Sequence, residues 1–189
     1  MTAENLLAAL HTAEKLKDAT RHCYTSGGRH ESVAEHSWRL ALMAYWLKDS
    51  FPGADMDKVI RMCLIHDLGE CFTGDIPTFD KTAADENREE ELLYNWVASL
   101  PAPFNAEMRA LYDEMAARET QEAKIYKALD NIEAVVQHNE SDISTWVPLE
   151  YELNLTYGSD KAAFSPVMQA LRDVVREETL QKMAEHEQG

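Results

Sequence analysis

Apolar residues recur along most of this chain at three- and four-residue intervals, the spacing of helices that each bury one face. Leu40, Met43, Ala44 and Leu47 form one such stripe, and the stretch from Val59 to Ile65 is a denser apolar run. Alternating β-branched runs bounded by tight turns, the signal of strands, are missing. The pattern predicts helices over residues 2–19, from Ser32 to a stop at Phe51-Pro52-Gly53, and over 55–68, 84–100, 105–118, 121–140 and 166–186. Residues 20–30, which hold Gly27-Gly28, read as irregular. Thr73-Gly74-Asp75-Ile76-Pro77 reads as a loop, since Pro77 disfavours helix at Ile76 as well.

Local chemistry supports several of these boundaries. Ser32-Val33-Ala34-Glu35 is a capping-box pattern, which puts His36 in the first turn of the second helix. Ser165-Pro166 is a cap followed by proline at the first helical position. Gly69 stands where a left-handed closing residue would be cheap. Trp38, Met43, Tyr45 and Trp46, at helical spacing, read as core. The expected fold class is all-α, a single-domain bundle of six to eight helices in 189 residues, enough to bury a core without staples. Apolar positions on the charged 84–118 pair predict a homodimer.

Composition narrows the partners. The formal net charge is −16, with 34 acidic against 18 basic residues, and no basic cluster of any length. A nucleic-acid polymer, which binds by having its phosphates neutralised, is a poor partner for such a surface. A small phosphate ester remains compatible, because a metal and a few arginines reverse the field locally while salt screens the rest over about 8 Å. No apolar stretch follows a basic N-terminal flank, and no run is long enough to cross a bilayer. Cys23, Cys63 and Cys71 are odd in number and contain no CxxC pair, which predicts reduced thiols in a cytoplasmic protein.

The chemistry concentrates at His66-Asp67, near the end of the apolar run. Imidazole and carboxylate beside so much apolar surface need a charge or hydrogen-bond partner, and a divalent metal ion satisfies both. On a helix, successive side chains diverge by about 100°, so both touch one ion only if it sits over the edge between them. Further ligands must then come from elsewhere, and His36 and Asp130 are the natural ones. Glu70, four residues after His66, returns to the same side. Two histidines and two carboxylates without a thiolate suit Mn²⁺, Co²⁺, Fe²⁺, Mg²⁺ or Zn²⁺. His11, His138 and His186 read as solvated residues on polar helical faces, and His30 is undecided.

The order His36, His66-Asp67, Asp130 resembles the HD-domain metal-dependent phosphohydrolases. Glu35-His36-Ser37, Ile65-His66-Asp67-Leu68-Gly69-Glu70 and Thr73-Gly74-Asp75-Ile76-Pro77-Thr78 are similar, more narrowly, to the 5′-deoxynucleotidase group within them. The stretch Lys81-Thr82-Ala83-Ala84-Asp85-Glu86-Asn87-Arg88-Glu89-Glu90-Glu91 resembles the same segment of the wider branch. The likeness covers residues 5–145 and is loose beyond them. It implies one HD domain over residues 1–189, with the metal-site core at 20–145 and a helical extension at 146–189. It also implies one divalent metal held by His36, His66, Asp67 and Asp130.

The resemblance further implies a small nucleotide substrate. Glu70, Asp75 and Arg21 would be catalytic, with Arg21 orienting the phosphate. Arg21, His22, Asp67, Glu70, Asp75, Ile76, Pro77 and Thr78 would contact the substrate, the last four at its sugar end. His22 stands where the characterised bacterial type has a tryptophan. The expected activity is removal of the 5′-phosphate from nucleoside monophosphates, with 2′-deoxynucleotides preferred. Glu70 and Asp75 both remain open for the general-base and general-acid roles. Two other readings compete: a pyrophosphohydrolase or phosphodiesterase acting on a signalling nucleotide, and a catalytically silent HD binding module.

Overall fold

Helix α7 (Gln121–Glu140) is the centre of the bundle. Half of its 20 residues are buried, from Ala123 to Gln137, so its neighbours must cover it on several sides. In the computed structural model, which describes residues 1–188, α2 (Val33–Trp46), α3 (Met56–Ile65), α6 (Phe104–Ala117) and α10 (Pro166–Gln188) pack against it. The other helices are α1 (Ala3–Ala13), α4 (Glu70–Thr73), α5 (Ala83–Ser99), α8 (Glu150–Thr156) and α9 (Ser159–Ala162). The fold is all-α. Its seven helices of ten or more residues correspond to the seven expected from the apolar pattern. The last residue of the expected extension, Gly189, lies outside the described residues.

Leu40, Val59, Met62, Ile125, Leu129, Ile132 and Met168 are fully buried where α2, α3, α7 and α10 meet. Each such side chain contributes roughly 1.5–3 kcal/mol relative to exposure. The capping box forms as expected: the Ser32 hydroxyl accepts from the Glu35 backbone N–H, and Glu35 reaches back to the Ser32 backbone. The three cysteines are free and buried. Among the described residues, no helix is long and apolar enough to cross a membrane.

Four expectations are corrected. The stretch read as irregular contains a hairpin, β1 (Thr20–Tyr24) against β2 (His30–Ser32), with Thr20 opposite Ser32 and Tyr24 opposite His30. Its register is broken between Thr20 and Tyr24, so the strand bulges where Arg21 and His22 sit, and a bulge re-aims side chains. The strands are too short and irregular to leave an alternating pattern. The third helix ends at Ile65, not at residue 68. The chain then tightens, with Leu68 N–H bonding to Ile65 and Glu70 N–H to Asp67, the shorter repeat of a 3₁₀ turn.

Gly69 is not left-handed, with φ −58. It is small because α5 presses on it: a Cβ there would lie 2.8 Å from Glu89 Cγ. Trp38, Tyr45 and Trp46 are exposed, because α2 buries the face carrying Val33, His36, Leu40 and Ala44 instead. The 84–118 pair turns Leu93, Val97, Tyr112 and Met115 inward and leaves Phe104 exposed. Exposed apolar side chains gather on α1 and α2.

Gly158, between α8 and α9, has φ +75, and a Cβ there would approach Asn131 Cβ on α7 to 2.6 Å. Gly158→Ala is expected to destabilise the fold by about 1–3 kcal/mol, from left-handed strain and displacement of Asn131. Urea unfolding of the variant against the parent chain measures it.

Candidate metal centre and substrate cleft

The tightened turn after α3 sets the centre. His66 Nδ1 bonds the Cys63 carbonyl at 2.8 Å, which makes Nδ1 the protonated nitrogen and leaves Nε2 with a free lone pair. Tyr112 Oη donates to the Ile65 carbonyl at 2.6 Å, so the carbonyls at the frayed helix end are satisfied by side chains. On α2, His36 is 1% exposed and its Nδ1 bonds Glu133 of α7. That contact leaves its Nε2 free as well. The two free nitrogens face each other at 3.2 Å.

Two carboxylates close the group. Asp67 Oδ2 lies 2.9 Å from His66 Nε2 and 3.8 Å from His36 Nε2. Asp130 Oδ1, on α7, lies 3.1 Å from His36 Nε2 and 3.6 Å from His66 Nε2. Donors on adjacent vertices around an ion with bonds near 2.1 Å stand about 3 Å apart, so the spacing fits a divalent metal. Charge argues the same way. Burial disfavours a charged His66, but Asp67 and Asp130 outweigh it and raise its pKa to about 10. The centre demands a positive charge where the donors converge.

The sequence ligands His36, His66, Asp67 and Asp130 are thus brought together. Glu70 opens α4 and is buried, and its Oε2 has no hydrogen-bond partner among the described residues. Burial, with Asp67 and Asp75 nearby, pushes its pKa up to about 10. Asp75, half-buried in the loop after α4, is raised by burial, while Arg21 pulls the other way.

Behind the ligands lies a support that the sequence reading missed. Glu133 is completely buried. Besides His36, it bonds Arg39 Nε at 2.6 Å and Arg21 Nη1 at 3.2 Å. Burial disfavours its charge, but His36, Arg21 and Arg39 together hold its pKa at about 2. Arg21 Nη1 also meets the buried Glu31 at 3.1 Å. Lys127 pairs with the second oxygen of Asp130 at 2.7 Å. Glu133 stands three residues after Asp130 on the same helix, a spacing that puts both on one face and was the available signal.

A cleft holding about 540 Å³ of empty space, part of it open to solvent, is lined by Arg21, His22, Asp75, Pro77 and Thr78. Those five were expected at the substrate; Asp67, Glu70 and Ile76, expected there too, are not part of the lining. His138, expected to be solvated, is instead largely covered and faces this cleft. Burial, with Arg21 and His22 close by, lowers its pKa to about 4. His11 and His186 are exposed as expected.

Glu133→Ala is expected to destabilise the chain by about 3–5 kcal/mol, because it leaves buried guanidinium charge without its partner. Glu133→Gln keeps the shape and is expected to weaken metal binding about 10- to 100-fold, as loss of a ligand's orienting partner does. Thermal unfolding and metal titration read the two effects.

The HD domain family model matches residues 13–172. The chain is 34% identical over 142 residues to 5′-deoxynucleotidase HDDC2 of Homo sapiens, covering 73% of this chain and 69% of that protein. The Bos taurus protein of the same name is also 34% identical over 142 residues, at 73% and 68% coverage. The crystal structure of a predicted metal-dependent phosphohydrolase from Magnetospirillum magnetotacticum MS-1 superposes with a TM-score of 0.79 at 28% identity, covering 95% of this chain and 93% of that one. The chain belongs to the HD domain family and is one of its metal-dependent phosphohydrolases.

Proposed function

We propose that this chain removes the 5′-phosphate from nucleoside monophosphates, with a preference for 2′-deoxynucleotides, and that residues from 146 onward belong to the same catalytic unit. The observation that carries the reading is the convergence of metal-type donors from His36, His66, Asp67 and Asp130, tied through Glu133 to Arg21, which lines the neighbouring cleft. His36, His66, Asp67 and Asp130 would hold the ion. When bound, a divalent ion supplies Lewis-acid polarisation of a phosphoryl oxygen and lowers the pKa of water. The relatives' name, 5′-deoxynucleotidase, supports the same substrate class.

The chain's own groups do the rest. Arg21 spends Nη1 on Glu31 and Glu133, which fixes the guanidinium plane and leaves Nη2 and Nε for a phosphate. Such a planar fork matches a phosphate in a way that an ammonium does not. Glu70 and Asp75 are the candidates for taking a proton from water and for giving one to the leaving 5′-oxygen, with both assignments open. Pro77 and Thr78 pack the sugar. His22 in the position of a larger aromatic leaves that wall more open.

Glu70→Gln is expected to retain the metal while losing about 10²- to 10⁴-fold in kcat, the usual worth of a positioned acid or base. Phosphate release from dAMP, with metal content measured on the same sample, reads both. Activity on dAMP is expected to exceed that on AMP, because a sugar held closely by Pro77 and Thr78 would have no space for a 2′-hydroxyl. Equal kcat/KM on the two sugars would remove the deoxy preference from the proposal.

A further inference from the structure

The far end of the cleft carries chemistry that phosphate transfer does not use. On α7, Asp130, Ala134 and His138 follow one another at four-residue intervals, so they lie along one stripe. Asp130 is at the metal centre, and His138 is about 12 Å further along the axis at 1.5 Å per residue. The small side chain of Ala134 leaves the floor between them open, and Ala134 and His138 both line the cleft. That span matches the reach from a phosphate across a pentose to a base.

At this end α8 supplies Glu150 and Asn154. Glu150 is 1% exposed. Its Oε2 accepts from the Val147 backbone N–H at 2.8 Å, which fixes the carboxylate. Its Oε1 lies 3.3 Å from His22 Nε2 and 3.4 Å from His138 Nε2. Asn154 is 2% exposed, and its Nδ2 has no hydrogen-bond partner among the described residues. A buried unpaired donor is uncommon and calls for an explanation. Arg172 bonds the backbone carbonyls of Asn154 and Tyr157 at 2.7 and 2.8 Å, so this wall is held in place. Leu153, Tyr157 and Phe79 complete an apolar lining.

We propose that Glu150 and Asn154, with His22 and His138, form a subsite that reads the hydrogen-bonding edge of the nucleobase. The inference rests on the phosphohydrolase reading and extends it to specificity. A base is a flat heteroaromatic ring with apolar faces and a polar edge, and the cleft end offers apolar walls around an acceptor beside a donor. Glu150 Oε1 accepts from a ring or amino N–H. Asn154 Nδ2 donates to the neighbouring ring nitrogen or carbonyl oxygen. Each of the common bases presents such an adjacent pair, so the subsite selects nucleotides over simple sugar phosphates.

The test compares dAMP with 2-deoxyribose 5-phosphate, which lacks the base, on the metal-loaded chain and its Glu150→Gln and Asn154→Ala variants. The parent is expected to favour dAMP at least tenfold in kcat/KM. Each variant is expected to raise KM for dAMP roughly tenfold, as loss of a hydrogen bond does, with kcat and all constants for the sugar phosphate within twofold. Glu150→Gln preserves shape and the bond to Val147, so it separates recognition from folding. Equal losses on both substrates, or no preference in the parent, would overturn the subsite. If the parent hydrolyses neither compound, the phosphohydrolase reading fails, and calorimetry then makes the same comparison by binding. Tighter binding of dAMP that both variants weaken selectively would sustain the subsite; equal or absent binding would overturn it.

Discussion

Glu133 is a carboxylate with no access to water, and it survives in the core only because three cationic or proton-donating groups converge on it. Arg21 comes from the hairpin, Arg39 and His36 from α2, and Glu133 itself from α7. Removing a charge from water costs several kcal/mol, which is recovered only with good geometry and full hydrogen bonding. The contact therefore ties the placement of three elements to one point. It also sets which nitrogen of His36 is turned to the carboxylate, and so which nitrogen faces His66 and Asp130. Stability and ligand orientation are here the same interaction.

The second constraint is the helix end at Ile65. Tyr112 and His66 cover the carbonyls freed there, and His66 and Asp67 both come beside His36, with His66 3.6 Å from Asp130. Gly69 permits the turn to lie against Glu89. In a chain of net charge −16, the local field at the cleft is set by a few cations: Arg21 and Arg39 behind His36, and Lys127 on Asp130.

Long helices were legible in the sequence because each repeats its apolar stripe over several turns, and the Ser32 cap was legible because it is local chemistry. The four residues that meet at the candidate metal centre stood out through their order and the cost of burying His66-Asp67. The hairpin was not, since two short bulged strands give too few positions for alternation. Glu133 escaped because a charged residue on a helix reads by default as solvated, and only its three-residue offset from Asp130 spoke otherwise. His138 was misread for the same reason: α8 covers it, and that packing leaves no mark in the local pattern. Trp38, Tyr45 and Trp46 show the converse, apolar residues on a face left exposed among the described residues.

The proposed function requires one ion held by side chains from α2, the turn after α3, and α7. Anomalous diffraction from crystals grown with Mn²⁺ tests this most directly. A single strong peak within bonding distance of His36 Nε2, His66 Nε2, Asp67 and Asp130, absent from the Asp67→Ala protein, is the expected result. A metal bound elsewhere, or a centre that stays empty while dAMP is still hydrolysed, would contradict it.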